Sequence, residues 1–393
     1  MDEKPGAHLD ARTAAARLGV KVETLYAYVS RGLLHPTKPD GRHSMFDAAE
    51  LDSLRSSHGR GDRAGRLEVP ISTAITATDD HRLRYRGLDV ATLLTDGVGF
   101  EATAELLWTG QLPGSAPVWV APQEILRAVT AFELADTATL LDRLRAVVVA
   151  ASATDPMRHD PTPDAVIGRA RALIAAMVRG LGGDMTAPSI AAALWPTLTD
   201  RAPSGPTVAV LDRALVLLAD HELAASTLAV RVAASTRADP YSCVLAGLGP
   251  MGGTLHGSAA REVRGAFVGA DASSPAVTAG ALVRDGRGLG HRLYPEGDPR
   301  VALLADAALA AAPDDERSQV VAAVYAALRD LSATHPNVDV ALAVTAELFE
   351  WRPDAPGAVF ALARSAGWIA HMLEELTEEP LRFRPVVRYT GPA

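Results

Sequence analysis

The chain has 393 residues, of which 48% are hydrophobic and 22% charged, and this composition is typical of a folded protein rather than a disordered one. It contains no run of eighteen apolar residues and begins without a basic lead or an apolar core, which predicts a cytoplasmic protein with no membrane span. Its single cysteine, Cys243, stands in an apolar stretch and is expected to be buried.

Charge is distributed unevenly along the chain. Residues 1–66 hold 11 Lys and Arg against 9 Asp and Glu, a net charge of +2, and they include all three lysines. The remaining residues hold 27 against 38, a net charge of −11. The acidic body is therefore a poor candidate for nucleic-acid binding, whereas the amino-terminal segment is compatible with it.

The amino-terminal segment predicts a small helical unit. Ala11–Leu18 places apolar residues on one helix face, Gly19-Val20 forms a tight turn, and a second helix follows over Val22–Ser30. A third helix is expected over Asp47–Leu54. The polar, glycine-rich residues 58–66 predict a linker, so that 1–57 form a domain of their own.

This spacing resembles the winged helix-turn-helix of the MerR and excisionase type, in which the second helix enters the major groove and the wing lies near phosphates. The resemblance implies DNA contacts within residues 10–57. The corresponding positions are Lys21, Glu23, Thr24, Tyr28 and Arg31 around the second helix, and Lys38, Arg42 and His43 on the wing. A net charge of +2 offers few phosphate contacts, so a protein-interaction or dimerisation module stays an alternative.

From Leu67 onward the pattern predicts a mostly α fold. Val69–Ala77 is expected to be a short strand and His81–Gly87 a compact turn. The predicted helices are Glu101–Trp108, Pro122–Phe132, Ala138–Ser152, Pro163–Leu181 and Val208–Thr236.

Polar residues that suit catalysis are concentrated after residue 215. The sequence ADHEL at 219–223 lies within a predicted long helix, which implies a buried and partnered polar side chain. A glycine-rich turn presents His256, and a second one presents His291 and Arg300. Asp339 stands in an apolar setting that would raise its pKa towards that of a useful base, although a helix cap is an alternative interpretation.

The loop GLGHRLYPEGDPR at 288–300 has the features of a ligand-binding turn. Gly288 and Gly290 allow the backbone to approach a ligand closely, and Asp298-Pro299 marks a turn. The helical spacing further along places three residues on one face, namely Arg364, Trp368 and His371. For His371 the preferred interpretation is a structural helix histidine whose hydrogen bonds are satisfied, and the same interpretation is an alternative for His221.

Six segments together resemble the citrate synthase family. They occur in the family's order and approximate spacing, and the resemblance covers the chain from about Leu67 to its end; the segments are ADHELAAST, GGTLHGSA, GLGHRLYPEGDPR, HPNVD, ARSAGWIAHMLE and RPVVRYTG. The resemblance implies an all-α, two-domain homodimer. Its large domain would comprise residues 67–258 and 353–393, and its small domain residues 259–352.

The resemblance also implies condensation of acetyl-CoA with oxaloacetate and water to citrate and CoA, without a metal or a cofactor. Asp339 matches the base that takes the methyl proton, His256 the donor to the thioester oxygen, and His291 the group that polarises the oxaloacetate carbonyl. Residues matching the oxaloacetate binders are His221, Arg300, Arg364 and, across the dimer, Arg384. Gly288, Leu289, Gly290 and Arg292 match the CoA site.

Two departures from the family pattern leave the substrate open. Ser258 adds a side chain where the family usually has glycine, and Pro295-Glu296 replaces a position that is often basic. A 2-methylcitrate synthase that uses propionyl-CoA is therefore an alternative. A DNA-binding regulator that retains the synthase fold as a metabolite sensor is an alternative of another class.

Overall fold

A computed structural model describes most of the chain. The described residues are 8–18, 20–30, 34–37, 44–47, 51, 70–79, 81–115, 117–131, 133–184, 186–253, 256–257, 259–270, 274–331, 334–385 and 391. Contacts divide the chain into two compact units, Met1–Ser72 and Thr73–Ala393, and each has a hydrophobic core of its own. The proposed division of the larger unit into a large and a small domain stays a prediction.

The first unit confirms both predicted amino-terminal helices. Its elements are β1 (His8–Asp10), α1 (Ala11–Leu18), α2 (Val22–Ser30) and β2 (Met45–Asp47), and β1 pairs antiparallel with β2. The Asp10 carboxylate accepts the Arg12 and Thr13 amides at 2.9 and 2.8 Å, which satisfies amides at the start of α1. The unit's core consists of Ala14, Ala15, Leu25, Leu34, Phe46 and Leu51.

The third predicted helix of this unit is wrong at its start. Asp47 ends strand β2. Of the other residues in the predicted helix, 48–54, only Leu51 is described, and it is helical. Lys21 is exposed at the start of α2, Thr24 and Tyr28 are half-buried, and only the backbone of Glu23 is described. The remaining residues expected to contact DNA, Arg31, Lys38, Arg42 and His43, lie outside the described residues.

The second unit begins with a small antiparallel sheet of β3 (Thr76–Asp79), β4 (Arg82–Tyr85) and β5 (Leu88–Asp89). The compact turn predicted over His81–Gly87 is therefore wrong, because most of it is β4. Leu83 and Tyr85 alternate inward while Arg82 faces solvent, as expected for a half-buried strand. Within the predicted segment, His81 precedes β4 in one turn and Arg86 and Gly87 follow it in another, the latter two with positive φ.

The rest of the described part of this unit is helical. Its helices are α3 (Val90–Thr95), α4 (Phe100–Thr109), α5 (Gln123–Thr130), α6 (Leu140–Thr154), α7 (Pro163–Gly180), α8 (Ile190–Leu198), α9 (Gly205–Leu218), α10 (Ala225–Ser235), α11 (Pro240–Leu248), α12 (Ala259–Val268), α13 (Pro275–Asp285), α14 (Pro299–Ala310), α15 (Glu316–Leu331), α16 (Val338–Leu348) and α17 (Ala355–Glu375), with a short 3₁₀ turn at Pro250–Gly252.

Helix α17 is the centre of the larger unit. It packs against α4, α6, α7, α9, α10 and α11, and all residues from Ala355 to Met372 except Gly357 are buried. A helix that is buried on every side is a core helix. Cys243 is also fully buried, as expected. Within the described part of the chain, no helix has both the length and the hydropathy needed to cross a membrane.

Candidate active site

The expected long helix over Val208–Thr236 is interrupted where the sequence reads Asp-His-Glu. Helix α9 ends at Leu218 and α10 begins at Ala225, so His221 lies in a loop rather than within a helix. Glu222 has a positive φ of 48°, which is unusual for a residue other than glycine and turns the chain towards α10. The prediction of a helical ADHEL segment was therefore wrong, but Asp220 and His221 are buried and partnered, as expected for at least one polar side chain there.

One face of α17 holds this loop in place. Arg364 donates from Nε to the Leu218 carbonyl at 2.9 Å, and the Gly367 amide donates to the Ala219 carbonyl at 3.0 Å. Glycine is required at 367, because a Cβ there would lie 2.5 Å from that carbonyl oxygen. The last carbonyls of α9, which lack partners within their own helix, are thus satisfied by a neighbouring helix.

His221 projects from the loop towards the residues of the second glycine-rich turn. Its Nε2 lies 3.1 Å from the Tyr294 hydroxyl, and its ring meets that of His291 edge-on with centroids 4.8 Å apart. Burial, together with the charges of Arg300 and Arg364, holds the pKa of His221 well below its ordinary value. His221 is consequently a neutral imidazole at pH 7.

The turn that carries His291 depends on its glycines. Gly288 has a φ of 68°, and a Cβ on it would lie 2.6 Å from Val340 Cγ2 in α16. The Gly290 amide donates to the His335 carbonyl at 2.8 Å, and the Asn337 amide donates to the Gly288 carbonyl at 2.9 Å. These contacts bind the turn to the segment immediately before α16, which carries Asp339.

Arg300 and Asp298 form a buried ion pair at the start of α14. The guanidinium donates from Nε and Nη2 to the two carboxylate oxygens at 2.9 and 2.8 Å. Asp298 also accepts the amides of Arg300 and Val338, each at 3.0 Å, so it links the starts of α14 and α16. Burial raises the pKa of Asp298, but Arg300 outweighs it and holds that pKa below its ordinary value.

Asp339 is half-buried at the second position of α16. The helix cap is Asn337, whose side chain accepts the Asp339 amide at 3.0 Å, so the interpretation of Asp339 as the cap is wrong. Burial raises the pKa of Asp339 to about 6; Arg300 lowers it and Asp298 raises it further. A carboxylate with this pKa is ionised at pH 7 and is a stronger base than an exposed aspartate.

His256 joins the group through Arg364. Its Nε2 lies 2.9 Å from the Ser226 hydroxyl, and its ring contacts Phe360, over which the Arg364 guanidinium is also placed. Burial lowers the pKa of His256, and the charge of Arg364 lowers it further. Burial likewise lowers the pKa of His291, with Arg300 acting in the same direction. Both imidazoles are neutral near pH 7 and able to donate one hydrogen bond without carrying charge.

Six of the expected residues are linked by a ring contact or by the effect of one residue's charge on another's pKa: His221, His256, His291, Arg300, Arg364 and Asp339. Arg292 and Arg384 are exposed, and neither makes a hydrogen bond or ion pair with that group within the described part of the chain. Ser258 lies outside the described residues. No group of three or more His, Cys, Asp or Glu within the described part could hold a metal ion.

Tyr294 and Asp298 are site residues that the sequence did not reveal. Tyr294 is buried between His221 and His291, and the Arg300 guanidinium lies 5.8 Å from the centroid of its ring. Asp298 was recognised only as a turn residue, although it also orients Arg300. The available signal was their position between His291 and Arg300 within one short loop.

A family model for the citrate synthase carboxyl-terminal domain matches residues 67–386. The chain belongs to the citrate synthase family. Its members are transferases that condense an acyl-CoA with oxaloacetate. A second model, for a helix-turn-helix domain, matches residues 9–58, in agreement with the paired helices of the first unit.

Individual family members resemble the chain over most of their length. A citrate synthase from Haloferax volcanii is 32% identical over 345 residues, covering 80% of this chain and 90% of that protein. A 2-methylcitrate synthase from Mycobacterium tuberculosis is 29% identical over 346 residues, covering 82% and 87%. The fold matches that of citrate synthase from Thermoplasma acidophilum, whose structure was solved with carboxymethyl coenzyme A and oxaloacetate. The TM-score is 0.69 at 24% identity, and the match covers 86% of this chain and 96% of that one.

Proposed function

We propose that this member of the citrate synthase family condenses acetyl-CoA with oxaloacetate through Asp339, His256 and His291. The observation that carries the proposal is the half-buried Asp339 carboxylate, with its pKa of about 6, electrostatically coupled to the pair Arg300–Asp298 and through it to neutral imidazoles. A thioester methyl proton is too weakly acidic for water to remove, so a base and a donor to the thioester oxygen must act together.

Each group has a role that its environment supports. Asp339 takes the methyl proton, and His256 donates a hydrogen bond to the thioester oxygen as negative charge develops there. His291 polarises the oxaloacetate carbonyl and supplies its proton when the new carbon–carbon bond forms. Because burial keeps both imidazoles neutral, each can act as a donor without first losing a second proton. Water then hydrolyses the thioester of the resulting citryl-CoA, which releases citrate and the free thiol of CoA. No cofactor beyond the two organic substrates and water is needed.

The buried arginines supply the positive charge that a dicarboxylate requires. Arg300 and Arg364 are almost wholly buried and bind oxaloacetate carboxylates together with His221. In this proposal the chain forms a homodimer in which Arg384 completes the neighbouring site, since Arg384 is exposed after the end of α17. The backbone at 288–290 approaches CoA, and the exposed Arg292 lies near its phosphates.

We expect acetyl-CoA and propionyl-CoA to give kcat/KM values that differ by no more than about 200-fold, because one methylene contributes only about 1–3 kcal/mol of discrimination. Release of free thiol from each acyl-CoA in the presence of oxaloacetate measures both values. The larger value identifies the preferred donor and decides between citrate and 2-methylcitrate synthase. Absence of oxaloacetate-dependent thiol release with either acyl-CoA rejects the proposed function.

We expect kcat/KM for the acyl-CoA to fall as the pH decreases through about 6, since Asp339 takes the proton only when it is ionised. The measurement is kcat/KM from about pH 5 to about pH 8, with circular dichroism at each pH to show that the chain stays folded. A profile that is flat through this range while the protein remains folded contradicts the assignment of Asp339 as the base.

For the first unit we propose DNA binding, supported by the helix-turn-helix match at residues 9–58 and by Lys21 exposed at the start of α2. We expect a gel shift with DNA from upstream of the chain's own operon, weakened by added salt and by Lys21→Gln. Binding that changes when oxaloacetate or CoA is added favours the metabolite-sensing regulator. Absence of salt-sensitive binding favours an interaction or dimerisation module instead.

A further inference from the structure

His371 is a buried histidine that the proposed chemistry does not use. It contacts the loop that carries His221. His371 is fully buried in α17, with Nδ1 placed 3.0 Å from Nη1 of Arg231 and Nε2 placed 3.2 Å from Oδ2 of Asp220. A guanidinium nitrogen can only donate, so Nδ1 must accept. The ring proton is therefore on Nε2 and is donated to the Asp220 carboxylate.

Asp220 is the residue immediately before His221, and its side chain is held by two donors. The Thr76 hydroxyl donates to the same oxygen, Oδ2, at 2.5 Å. The Tyr85 hydroxyl holds the backbone of Asp220, accepting its amide at 3.2 Å and lying 3.0 Å from its carbonyl oxygen. These contacts hold both the side chain and the backbone of Asp220, the residue that precedes His221.

The contacts of α17 with this loop follow the helical repeat. Arg364, Gly367 and His371 lie on one face and bind three consecutive residues, Leu218, Ala219 and Asp220. Of these three contacts, only the one from His371 reaches a side chain. It is therefore the contact through which α17 controls the carboxylate adjacent to His221.

Arg231, which contacts Nδ1 of His371, connects this histidine to the carboxyl-terminal segment. Arg231 donates from Nε to Glu375 and from Nη1 to Glu374, both at 2.8 Å. Glu375 in turn accepts two hydrogen bonds from Arg382, both at 2.6 Å. Since Arg231 and Glu375 are fully buried, this ion pair is a rigid support whose loss would leave an uncompensated charge in the core.

We propose that His371 is a positioning residue for oxaloacetate. Its Nε2–H holds the Asp220 carboxylate, and Asp220 in turn orients the imidazole of His221 towards Tyr294 and His291. The inference rests on the proposed function in one respect, that the ligand faced by His221 is oxaloacetate. It adds a residue that does not touch the substrate but determines how tightly the substrate is bound.

Two variants separate the two hydrogen bonds of this imidazole. In His371→Asn the side-chain oxygen lies near the position of Nδ1, so the contact with Arg231 is kept and the contact with Asp220 is lost. In His371→Gln the amide nitrogen lies near the position of Nε2, so the contact with Asp220 is kept. Both variants remove the ring and leave a neutral amide, and each is therefore the matched control of the other.

We expect His371→Asn to raise KM for oxaloacetate about tenfold, the effect of losing one hydrogen bond to a charged group, with KM for acyl-CoA within about twofold of wild type. We expect His371→Gln to stay within about threefold for both substrates. Thr76→Val, which removes the other donor to Asp220 from a different element, should raise KM for oxaloacetate without changing KM for acyl-CoA. Circular dichroism verifies folding, and Thr76→Val carries the test if His371→Asn does not fold.

Calorimetric binding of oxaloacetate to wild type and variants distinguishes this inference from the proposed function. If wild type and His371→Gln bind oxaloacetate more tightly than His371→Asn does, the inference is supported even when no thiol is released. Equal losses in both His371 variants, or an oxaloacetate affinity unchanged in His371→Asn and Thr76→Val, overturn it while leaving the proposed function intact. Failure of wild type to bind oxaloacetate overturns both.

Discussion

Replacing Asp339 with asparagine is expected to reduce kcat/KM by about a hundred- to ten-thousand-fold, the range contributed by a positioned general base. Asparagine has the same shape and no charge, and the Asn337 cap of α16 binds the backbone of residue 339, so the fold should be preserved. Burial disfavours the ionised carboxylate that this substitution removes, so we expect the free energy of unfolding at pH 7 to be unchanged or slightly higher. Steady-state thiol release and thermal unfolding measure the two effects.

The matched control for this variant is Asp330→Asn. Asp330 is exposed near the end of α15, so the same chemical change there should leave kcat/KM within about twofold of wild type. Retention of more than about a tenth of wild-type kcat/KM in Asp339→Asn, with the control unaffected, would show that another group takes the proton.

Arg300→Lys is expected to raise KM for oxaloacetate about ten- to a hundredfold, because lysine keeps the charge but loses the planar fork. The same substitution removes the two parallel hydrogen bonds to the buried carboxylate of Asp298. We therefore expect the free energy of unfolding to fall by about 2 kcal/mol as well. Saturation kinetics in oxaloacetate and denaturant unfolding provide the two measurements.

The control for Arg300→Lys is Arg287→Lys, at an exposed pair with Asp285. Exposed pairs contribute little, so neither KM nor stability should change measurably there. A value of KM for oxaloacetate in Arg300→Lys equal to that of wild type would mean that Arg300 is a structural partner of Asp298 only. In that case the carboxylates of the substrate would have to be bound by Arg364 and His221 without it.

Local sequence pattern was sufficient for the amino-terminal helices. The bounds of α1 and α2 coincide with the predicted Ala11–Leu18 and Val22–Ser30, because each helix has its own apolar face and the sequence between them contains a glycine. The residues proposed for the site likewise came from motifs, since His256, His291 and Arg300 lie in or next to glycine-rich turns that are visible in the sequence. These features depend on neighbours within a few residues.

The break between α9 and α10 could not be predicted in the same way. The residues around His221 contain no glycine or proline, and most of them favour helix. The chain leaves the helix because distant groups bind its backbone: Tyr85 from β4 and Arg364 and Gly367 from α17. Contacts between residues more than a hundred positions apart therefore override local helix propensity around His221.

Strand β4 and Tyr294 were missed for a related reason. In HRLRYRG the charged residues suggest an exposed turn, but Leu83 and Tyr85 alternate inward and the strand is stabilised by pairing with β3. Tyr294 is a site residue only because the loop folds back so that its hydroxyl meets Nε2 of His221. Neither role is encoded by residue type alone; both follow from the packing around them.

Formation of the carbon–carbon bond is the measurement that tests the central claim most directly. Wild-type protein is incubated with oxaloacetate and acetyl-CoA carrying an isotopic label in its methyl carbon, and the products are identified by nuclear magnetic resonance. The account predicts that the label appears in a methylene carbon of citrate, with one CoA released for each citrate formed, and that Asp339→Asn forms almost none. Label recovered only in acetyl-CoA or in free acetate would show that the chain does not condense its substrates and would contradict the account.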